Sequence, residues 1–298
     1  MGRRKYRAGN AERSVRTHWK FTMIKNEVNA VSKPSEGAEK MPVLFLGHGS
    51  PMNAIEENEF VTGFRTISEE IPKPNAVVCI LAHWETEGTF VTAMGKPKTI
   101  HDFGGFPKEL YEVQYPAPGS PGLAREIAAL IKKTNVGLDE SWGLDHGCWS
   151  VVKHLYPNAD VPVVQMSLDY NQSPRFHYES AKELSSLRGK GVLIVGSGNM
   201  VHNLQLVAWD RLNATEYGYD WAIEAGEKMK KLILDGDHQA LIDYKKQGKA
   251  FNLAIPTNEH YLPLLYALAL KGRNDKVSLF NDKAVAGSLL MTCLKISE

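Results

Sequence analysis

Three apolar runs that each end close to a histidine constrain this chain more than any other feature. They are residues 43–46 before His48, residues 76–82 before His83, and residues 192–195 before a glycine-rich turn and His202. Short uninterrupted apolar runs are typical of strands that are covered on both faces, as in a parallel sheet. In open α/β sheets, ligands bind outside the carboxyl ends of the strands. The pattern therefore predicts an α/β fold whose chemistry lies at the strand ends.

The turn after the first run indicates how a histidine would be presented there. Gly47 and Gly49 leave the backbone free to adopt conformations that other residues avoid, and Pro51 prevents the strand from continuing. These residues predict that the His48 imidazole lies at the rim of the sheet. A histidine in such a turn can also do no more than hydrogen-bond the turn itself.

A fourth histidine, His260, lies between Pro256 and an apolar segment of residues 262–270. Several imidazoles that converge at strand ends are hard to explain by packing alone. Neutral imidazole is the commonest protein ligand for metals such as zinc and ferrous iron. We therefore predict that the histidines hold one divalent metal ion.

The rest of the chain alternates predicted helices with predicted strands and contains no internal repeat. We predict a single α/β domain over residues 42–298, with a central, largely parallel sheet flanked by helices. Helices are predicted over residues 55–71, 121–133, 219–234, 238–244 and 262–270, with two more beginning at Val151 and His177. Further strands are predicted over residues 90–93, 161–168, 277–280 and 288–294. His177 and His238 are interpreted as ordinary surface or capping residues.

Two segments are rich in aromatic residues. Residues 100–119 combine glycine, proline and aromatic residues in a long loop, which is either the lining of a pocket for a flat ligand or a plain structural connection. Residues 142–149 place Asp145 and His146 between Trp142 and Trp149 in a predicted turn. In one interpretation Asp145 braces His146 for proton transfer. In the other, His146 is a buried structural histidine.

Composition narrows the class of protein. The chain has 298 residues, of which 43% are hydrophobic and 23% are charged, as in a soluble globular protein. No apolar run approaches the roughly 18 residues that a membrane-spanning helix needs. The three cysteines are widely spaced and form neither a disulfide framework nor a CxxC metal pair. We therefore expect a protein of the reducing cytoplasm that has no membrane partner.

Charge is distributed unevenly along the chain. Residues 1–40 hold ten Lys/Arg and four Asp/Glu, so the remainder, with 25 Lys/Arg and 30 Asp/Glu, has a net charge of −5. We interpret residues 1–41 as a basic, poorly ordered leader, with Met23 and Met41 as alternative starts. The leader lacks the apolar core of a secretory signal. The acidic body argues against nucleic acid as the main partner.

Five short motifs carry the histidines described above. They are Gly47-His48-Gly49-Ser50-Pro51-Met52, Ala82-His83-Trp84-Glu85, Leu144-Asp145-His146-Gly147-Cys148-Trp149, Gly196-Ser197-Gly198-Asn199-Met200-Val201-His202-Asn203 and Asn258-Glu259-His260-Tyr261-Leu262-Pro263-Leu264. Together, and in this order, they resemble the class III extradiol ring-cleavage dioxygenases, most closely the branch that cleaves DOPA. The resemblance covers the chain from about Pro42 to its end.

The resemblance implies one α/β domain with a metal at the edge of the sheet. It also implies that O2 and a catechol such as L-DOPA are the substrates. The implied working metal is ferrous iron, although an all-histidine site would also hold zinc well. Without a redox-active metal the ring would not be cleaved.

The resemblance also implies roles for particular residues. His48, His83 and His260 would be metal ligands, and His202 would lie at the metal or just behind it. His146 would be the acid–base residue. Many class III enzymes use two histidines and a carboxylate, so Glu259 stays an alternative to His260. No substrate-binding residue and no oligomeric state is predicted.

Two other classes of protein fit parts of the sequence. A zinc-dependent hydrolase would use the same ligands to activate water, with Glu85 or Glu259 as the base. A non-enzymatic metal-binding protein would bind a partner through the aromatic loop. The presence of all five motifs, with His146 among them, favours the dioxygenase.

Overall fold

An eight-stranded sheet runs through the protein, whose computed structural model describes residues 40–212 and 216–298. The strands are β1 (Val43–Gly47), β2 (Ala76–Thr86), β3 (Thr89–Thr92), β4 (Val136–Asp139), β5 (Val163–Asp169), β6 (Val192–Gly198), β7 (Lys276–Phe280), β8 (Ala284–Val285), β9 (Leu289–Leu290) and β10 (Cys293–Ser297). The order in the large sheet is β4-β3-β5-β2-β6-β1-β10-β7, and β8 pairs with β9 separately. In the large sheet the four central strands, β5, β2, β6 and β1, run parallel, whereas β10 and β7 are antiparallel to their neighbours.

Helices cover both faces of this sheet. They are α1 (Glu59–Glu70), α2 (Lys108–Tyr111), α3 (Pro121–Leu130), α4 (His146–Leu155), α5 (Pro174–Lys182), α6 (Asp220–Asp235), α7 (His238–Ile242), α8 (Lys249–Ala254) and α9 (Leu262–Ala269). Successive strand side chains point to opposite faces. Leu44 and Leu81 therefore pack with α1 and α4, while Phe45 and Ile80 pack with α3, α5, α6 and α9. The predicted single α/β domain with a largely parallel sheet is confirmed.

Two boundaries next to the histidines differ from the sequence prediction. β2 continues to Thr86, so His83 lies within the strand and not after it. α4 begins at His146, whereas the sequence predicted a turn there and a helix from Val151. The Asp145 side chain caps the helix by accepting a hydrogen bond from the Cys148 backbone N–H at 3.4 Å. Because such a cap satisfies a free N–H group, the helix starts at the acid–histidine pair.

Two further elements differ from the prediction, one of them because of a local cap. Residues 51–54 form a 3-10 turn, and α1 starts only at Glu59, where the Asn58 side chain accepts a hydrogen bond from Val61 N at 3.0 Å. The predicted strand over residues 288–294 is divided between β9 and β10.

The interpretation of His177 as a surface or capping residue was wrong. His177 is fully buried, with Nδ1 at 3.1 Å from the Tyr266 hydroxyl and Nε2 at 3.1 Å from the Asp169 carbonyl oxygen. Burial lowers the pKa of His177 to about 4, so the ring is neutral and ties α5 to α9. His238 does begin α7, but it is half-buried and its Nδ1 lies 2.7 Å from the Tyr178 hydroxyl.

The described chain is anchored from its first residues onward. The predicted leader lies outside the described residues except for Lys40 and Met41. Met41 is buried, and its backbone N–H donates to the Arg188 carbonyl at 3.0 Å while Arg188 Nε donates to the Met41 carbonyl at 2.7 Å. The Arg188 guanidinium also pairs with the buried Asp275 carboxylate. None of the helices in the described ranges is long and apolar enough to cross a membrane.

We expect a variant that lacks residues 2–38 to keep its free energy of unfolding within about 1 kcal/mol of the full chain. The reason is that the variant keeps Lys40 and Met41 and with them their contacts with Glu298 and Arg188. Arg188→Met is the matched positive control. It leaves the buried Asp275 carboxylate without its partner and should lower the free energy of unfolding by about 3 kcal/mol or more. Denaturant unfolding measures both, and a truncation loss as large as that of Arg188→Met would show that the leader packs on the domain.

Candidate metal centre

Five histidine rings meet at the carboxyl ends of β1, β2 and β6, and they are the five that the sequence singled out. The ring centre of His48 lies 5.1 Å from that of His83, 5.4 Å from that of His260 and 6.0 Å from that of His146. His83 and His146 are 4.0 Å apart, and His202 stacks on His260 at 3.6 Å. Residues separated by up to about two hundred positions therefore share one site.

A bulge in β2 positions His83. Ile80 pairs with Met166 of β5, and the next paired residue of β2, Glu85, is opposite Leu168. Four residues of β2 thus span a distance that a single residue of β5 covers. Bulges of this kind bend a strand and redirect its side chains, often next to active sites. The bulge explains why the apolar run ends at Ala82 although the strand continues.

The N-terminus of α4 packs directly against His83. A Cβ atom at Gly147 would lie 2.7 Å from Cδ2 of the His83 ring, so no larger residue fits between helix and histidine. The Gly147 carbonyl accepts a hydrogen bond of 2.6 Å from the Ser197 hydroxyl at the end of β6. This contact fixes the helix start relative to the strand ends.

The loop before α9 brings in His260. Its carbonyl oxygen accepts a hydrogen bond of 2.9 Å from Asn199 N, just after β6. Behind the ring, the Glu259 carboxylate accepts a hydrogen bond from His260 Nδ1 at 3.0 Å and another from the Thr257 hydroxyl at 2.9 Å. Glu259 therefore supports the His260 ring through its Nδ1 atom.

Hydrogen bonds to the Nδ1 atoms fix the tautomers of two of these rings. The Ser197 hydroxyl uses its hydrogen on Gly147, so it accepts from His48 Nδ1 at 3.1 Å. His260 Nδ1 donates to Glu259, and His83 Nδ1 faces Asp102 Oδ2 at 3.8 Å. The Nδ1 atoms of His48 and His260 thus carry the proton and their Nε2 atoms keep a lone pair, whereas 3.8 Å is too long for a hydrogen bond from His83 Nδ1 to Asp102. Such outer partners orient the histidine ligands of metal sites.

The Nε2 atoms of His48 and His83 lie only 3.2 Å apart. The lone pair of His48 Nε2 lies against His83 Nε2, which either donates a hydrogen bond to it or, with its own proton on Nδ1, shares a cation with it. A divalent ion such as zinc or ferrous iron accepts neutral imidazole nitrogens in this way. The donor set therefore fits a metal.

Burial keeps the imidazoles in the form that binds metal. It lowers the pKa of His48 and of His260 well below the ordinary value, and neighbouring histidines lower both further. Burial likewise lowers the pKa of His83 to about 3 and that of His202 to about 4. These rings are neutral near pH 7, so a metal ion does not compete with protons for them.

Two groups of side chains bring three possible ligand atoms within 4.8 Å of one another: His48, His83 and His146, and separately His202, Glu259 and His260. The sequence analysis grouped these residues differently. It predicted His48, His83 and His260 as the metal ligands, and His146 as an acid–base residue that does not bind the metal. Both arrangements use His48 and His83.

The acid that braces His146 is Asp102, and the prediction that Asp145 does so was wrong. Asp102 Oδ1 accepts a 2.9 Å hydrogen bond from the His146 backbone N–H and lies 2.9 Å from His146 Nδ1, outside hydrogen-bond geometry. Burial raises the pKa of Asp102, but its contacts with His146 outweigh this and lower it overall. Asp145 is buried behind the helix start, where it accepts hydrogen bonds from Trp142 and Gln165. Burial raises its pKa to about 7.

The aromatic segment borders the site on the side of His146. The Phe103 ring lies edge to face with His146 at 5.5 Å and contacts Phe106 and Tyr111 at 5.4 and 5.1 Å. The Trp149 indole N–H donates to the Ile100 carbonyl at 2.8 Å and so anchors the segment to α4. Asp102 and Phe103 are thereby placed together beside one histidine.

Comparisons with known proteins point to one family. Residues 42–287 match the family described as the catalytic LigB subunit of aromatic ring-opening dioxygenase. The 4,5-DOPA dioxygenase extradiol of Escherichia coli K12 is 43% identical over 261 residues, which cover 86% of this chain and 95% of that protein. The protein of the same name from Beta vulgaris is 35% identical over 251 residues, 80% of this chain and 90% of that protein. A crystal structure of an uncharacterized protein from Escherichia coli K12 matches with a TM-score of 0.75 and 38% identity, over 87% of this chain and 100% of that one.

The contacts of Asp102 lead to a test of the metal centre. Asp102→Asn keeps the shape of the side chain but removes the charge that faces both His83 and His146. We expect the affinity for zinc to fall by about 10–100-fold, the usual effect of losing such a partner. Chelator competition measures this affinity, with Asp235→Asn on the surface of α6 as the control. Unchanged affinity in Asp102→Asn, with a native melting temperature, would remove Asp102 from the site.

Proposed function

Because the chain belongs to the LigB family of aromatic ring-opening dioxygenases, as a class III extradiol enzyme, we propose that it cleaves a catechol such as L-DOPA with O2. The observation that carries the proposal is the cluster of five imidazoles, in which the Nε2 atoms of His48 and His83 lie 3.2 Å apart. Ferrous iron, when bound, would supply open positions for the catechol oxygens and for O2 together with the redox chemistry that zinc lacks. Family membership favours this activity over the zinc hydrolase that the sequence left open.

We propose that His48, His83 and His260 hold the metal. His48 is supported by Ser197 and His260 by Glu259, each through Nδ1. These supports favour His260 over Glu259 as the third ligand, because the Glu259 Oε1 atom accepts the Nδ1 proton of His260 and so orients that ring. His202, stacked flat on His260, would lie at the metal or just behind it.

His146 is the proposed proton carrier. Asp102 faces its Nδ1 at 2.9 Å, which leaves Nε2 free to take a proton from a catechol hydroxyl and to return one as the ring opens. Imidazole exchanges protons near neutral pH, and the Asp102 carboxylate stabilises the ring while it is charged. Phe103 covers the His146 ring from the side and limits its contact with water.

The cytoplasm is the proposed location of this reaction. Support comes from Cys79, Cys148 and Cys293, which are free thiols buried in the fold. A reducing compartment keeps such thiols from oxidation and also preserves ferrous iron.

Catechol cleavage can be tested directly. The protein, stripped of metal and reconstituted with ferrous iron under anaerobic conditions, should form a yellow ring-opened product from L-DOPA only after O2 is admitted. O2 consumption should match product one to one, because both oxygen atoms enter the product. Zinc-loaded protein is the control and should produce none. If no catechol in a broad panel is consumed, the proposed activity is wrong.

Proton transfer and metal binding can be separated by mutation. His146→Ala should retain the metal and the fold yet lose turnover by about 10²–10⁴-fold, the usual share of general acid–base catalysis. His48→Ala and His83→Ala should instead lose affinity for the metal. Metal content and catechol cleavage are measured on the same preparations, with His238→Ala, outside the cluster, as the control.

Any other result for His146→Ala would give His146 a different role. Loss of the metal from His146→Ala would place it among the ligands with His48 and His83, as one of the two geometric groups suggests. The proton would then be moved by another group, of which His202 is the next candidate. Near-native turnover would make His146 structural.

A further inference from the structure

The peptide group between Gly198 and Asn199, at the end of β6, joins the backbones of two histidines of the cluster. Its carbonyl oxygen, on Gly198, accepts a hydrogen bond of 3.1 Å from the His48 backbone N–H. Its N–H, on Asn199, donates to the His260 carbonyl oxygen at 2.9 Å. Because a peptide group is planar and rigid, this single unit fixes the distance between two backbones that lie far apart in the sequence.

The side chain of Asn199 adds two contacts of its own. It is 1% exposed, and its Oδ1 accepts a long hydrogen bond of 3.4 Å from the N–H of Gly49, the residue after His48. Its Nδ2 donates to the Leu290 carbonyl oxygen in β9 at 2.8 Å. A buried amide that is bonded at both ends has one orientation. Asn199 therefore contacts the turn of His48, the loop of His260 and β9 at the same time.

The backbones around this residue are in close contact. A Cβ atom at Gly198 would lie 2.2 Å from the His260 carbonyl oxygen. A Cβ atom at Gly47 would lie 2.6 Å from the carbonyl oxygen of Met291, the residue after Leu290. Glycine permits such an approach because it has no side chain. The spacing of the two histidine backbones is thus set by contacts between backbone atoms and not by flexible side chains.

This spacing matters for a metal ion because the bonds from imidazole nitrogen to metal are short, about 2.0–2.1 Å for zinc. His48 follows β1 and His260 lies in the loop before α9, so neither backbone is inside a regular element. Ligands that are already held at the right separation lose less conformational freedom when the ion binds. A residue that fixes both backbones should therefore strengthen metal binding without touching the metal.

We propose that Asn199 is a positioning residue of the metal centre, which together with Gly198 sets the spacing of His48 and His260 before the ion binds. This inference rests on the proposed function, which makes both histidines ligands, and adds a residue that acts only through their backbones. Removal of the Asn199 side chain leaves every imidazole in the protein. It also leaves the peptide group alone to join the two histidines.

Asn199→Ala removes both side-chain hydrogen bonds and keeps those of the peptide group. We expect the affinity for zinc, measured by chelator competition, to fall about tenfold, as when an outer partner of a ligand is lost. Asn203→Ala is the matched control. Asn203 is 4% exposed, accepts a hydrogen bond from Gln205 N at 3.1 Å and donates one to the Leu253 carbonyl oxygen at 2.8 Å. The control should lower the midpoint of denaturant unfolding to a similar extent but keep its zinc affinity.

Gly198→Ala tests the same spacing without the removal of a hydrogen-bonding group. The added methyl group pushes on the His260 carbonyl oxygen, so zinc affinity should again fall. Cobalt provides a second measurement, since the visible spectrum of bound Co²⁺ depends on its coordination geometry. The spectrum should change in Asn199→Ala and in Gly198→Ala but not in Asn203→Ala. Asn199→Ala is the primary test, because it adds no atom that the fold must accommodate.

A double-mutant cycle separates spacing from a general loosening of the site. In a His260→Ala background no spacing is left to set, so Asn199→Ala should lower zinc affinity by a smaller factor than in the wild type. An equal factor in both backgrounds, an equal loss in Asn203→Ala, or an unchanged affinity and cobalt spectrum in Asn199→Ala would overturn the inference. If Asn199→Ala has no effect while His260→Ala loses zinc, the proposed ligands stand and only the role of Asn199 is wrong. If His260→Ala keeps its zinc, the ligand assignment fails and the inference fails with it.

Discussion

The close approach of two imidazole nitrogens is the constraint on which the rest of the site depends. His48 Nε2 and His83 Nε2 are 3.2 Å apart, and the hydrogen bond at Nδ1 leaves a lone pair on His48 Nε2. In a buried site that lone pair needs a partner, which is either the Nε2–H of His83 or a cation held by both nitrogens. The surrounding structure holds them there: parallel strands end at one edge, the β2 bulge redirects His83, and Gly147 lets α4 approach its ring. The fold thus places these two nitrogens where they can both bind one metal ion.

Neutral rings and negatively charged carboxylates surround the position between His48 and His83. The rings that face the metal are neutral because burial lowers the pKa of each of them. Behind them, Asp102 and Glu259 supply two carboxylates that contact His83, His146 and His260 through Nδ1. Two carboxylates balance a divalent cation, so the centre would be close to neutral when it is loaded.

The sequence was informative where local pattern and topology coincide. Apolar runs predicted β1, β2 and β6, and because parallel strands share one carboxyl edge, His48, His83 and His202 could be expected together. Asp102 could not be paired with His146, since 44 positions separate them and only the path of the aromatic segment brings them into contact. The β2 bulge was equally hidden, because it depends on the register with β5. His177 was misjudged because its partners, Tyr266 and the Asp169 carbonyl, come from separate elements.

The residues of the site lie on parts of the fold whose backbones are fixed to different degrees. His48 directly follows β1, where its backbone N–H donates to the Gly198 carbonyl of β6 at 3.1 Å, and His83 lies in the bulge of β2, between Ile80 and Glu85, which pair with β5. Asp102 and Glu259 lie in connecting segments, where substitution disturbs fewer backbone hydrogen bonds. Asp102 comes from a different segment from His83 and His146, so a change there alters the orientation of both rings without altering the strand and the helix that carry them. The positions of these rings and their orientation therefore depend on different parts of the backbone.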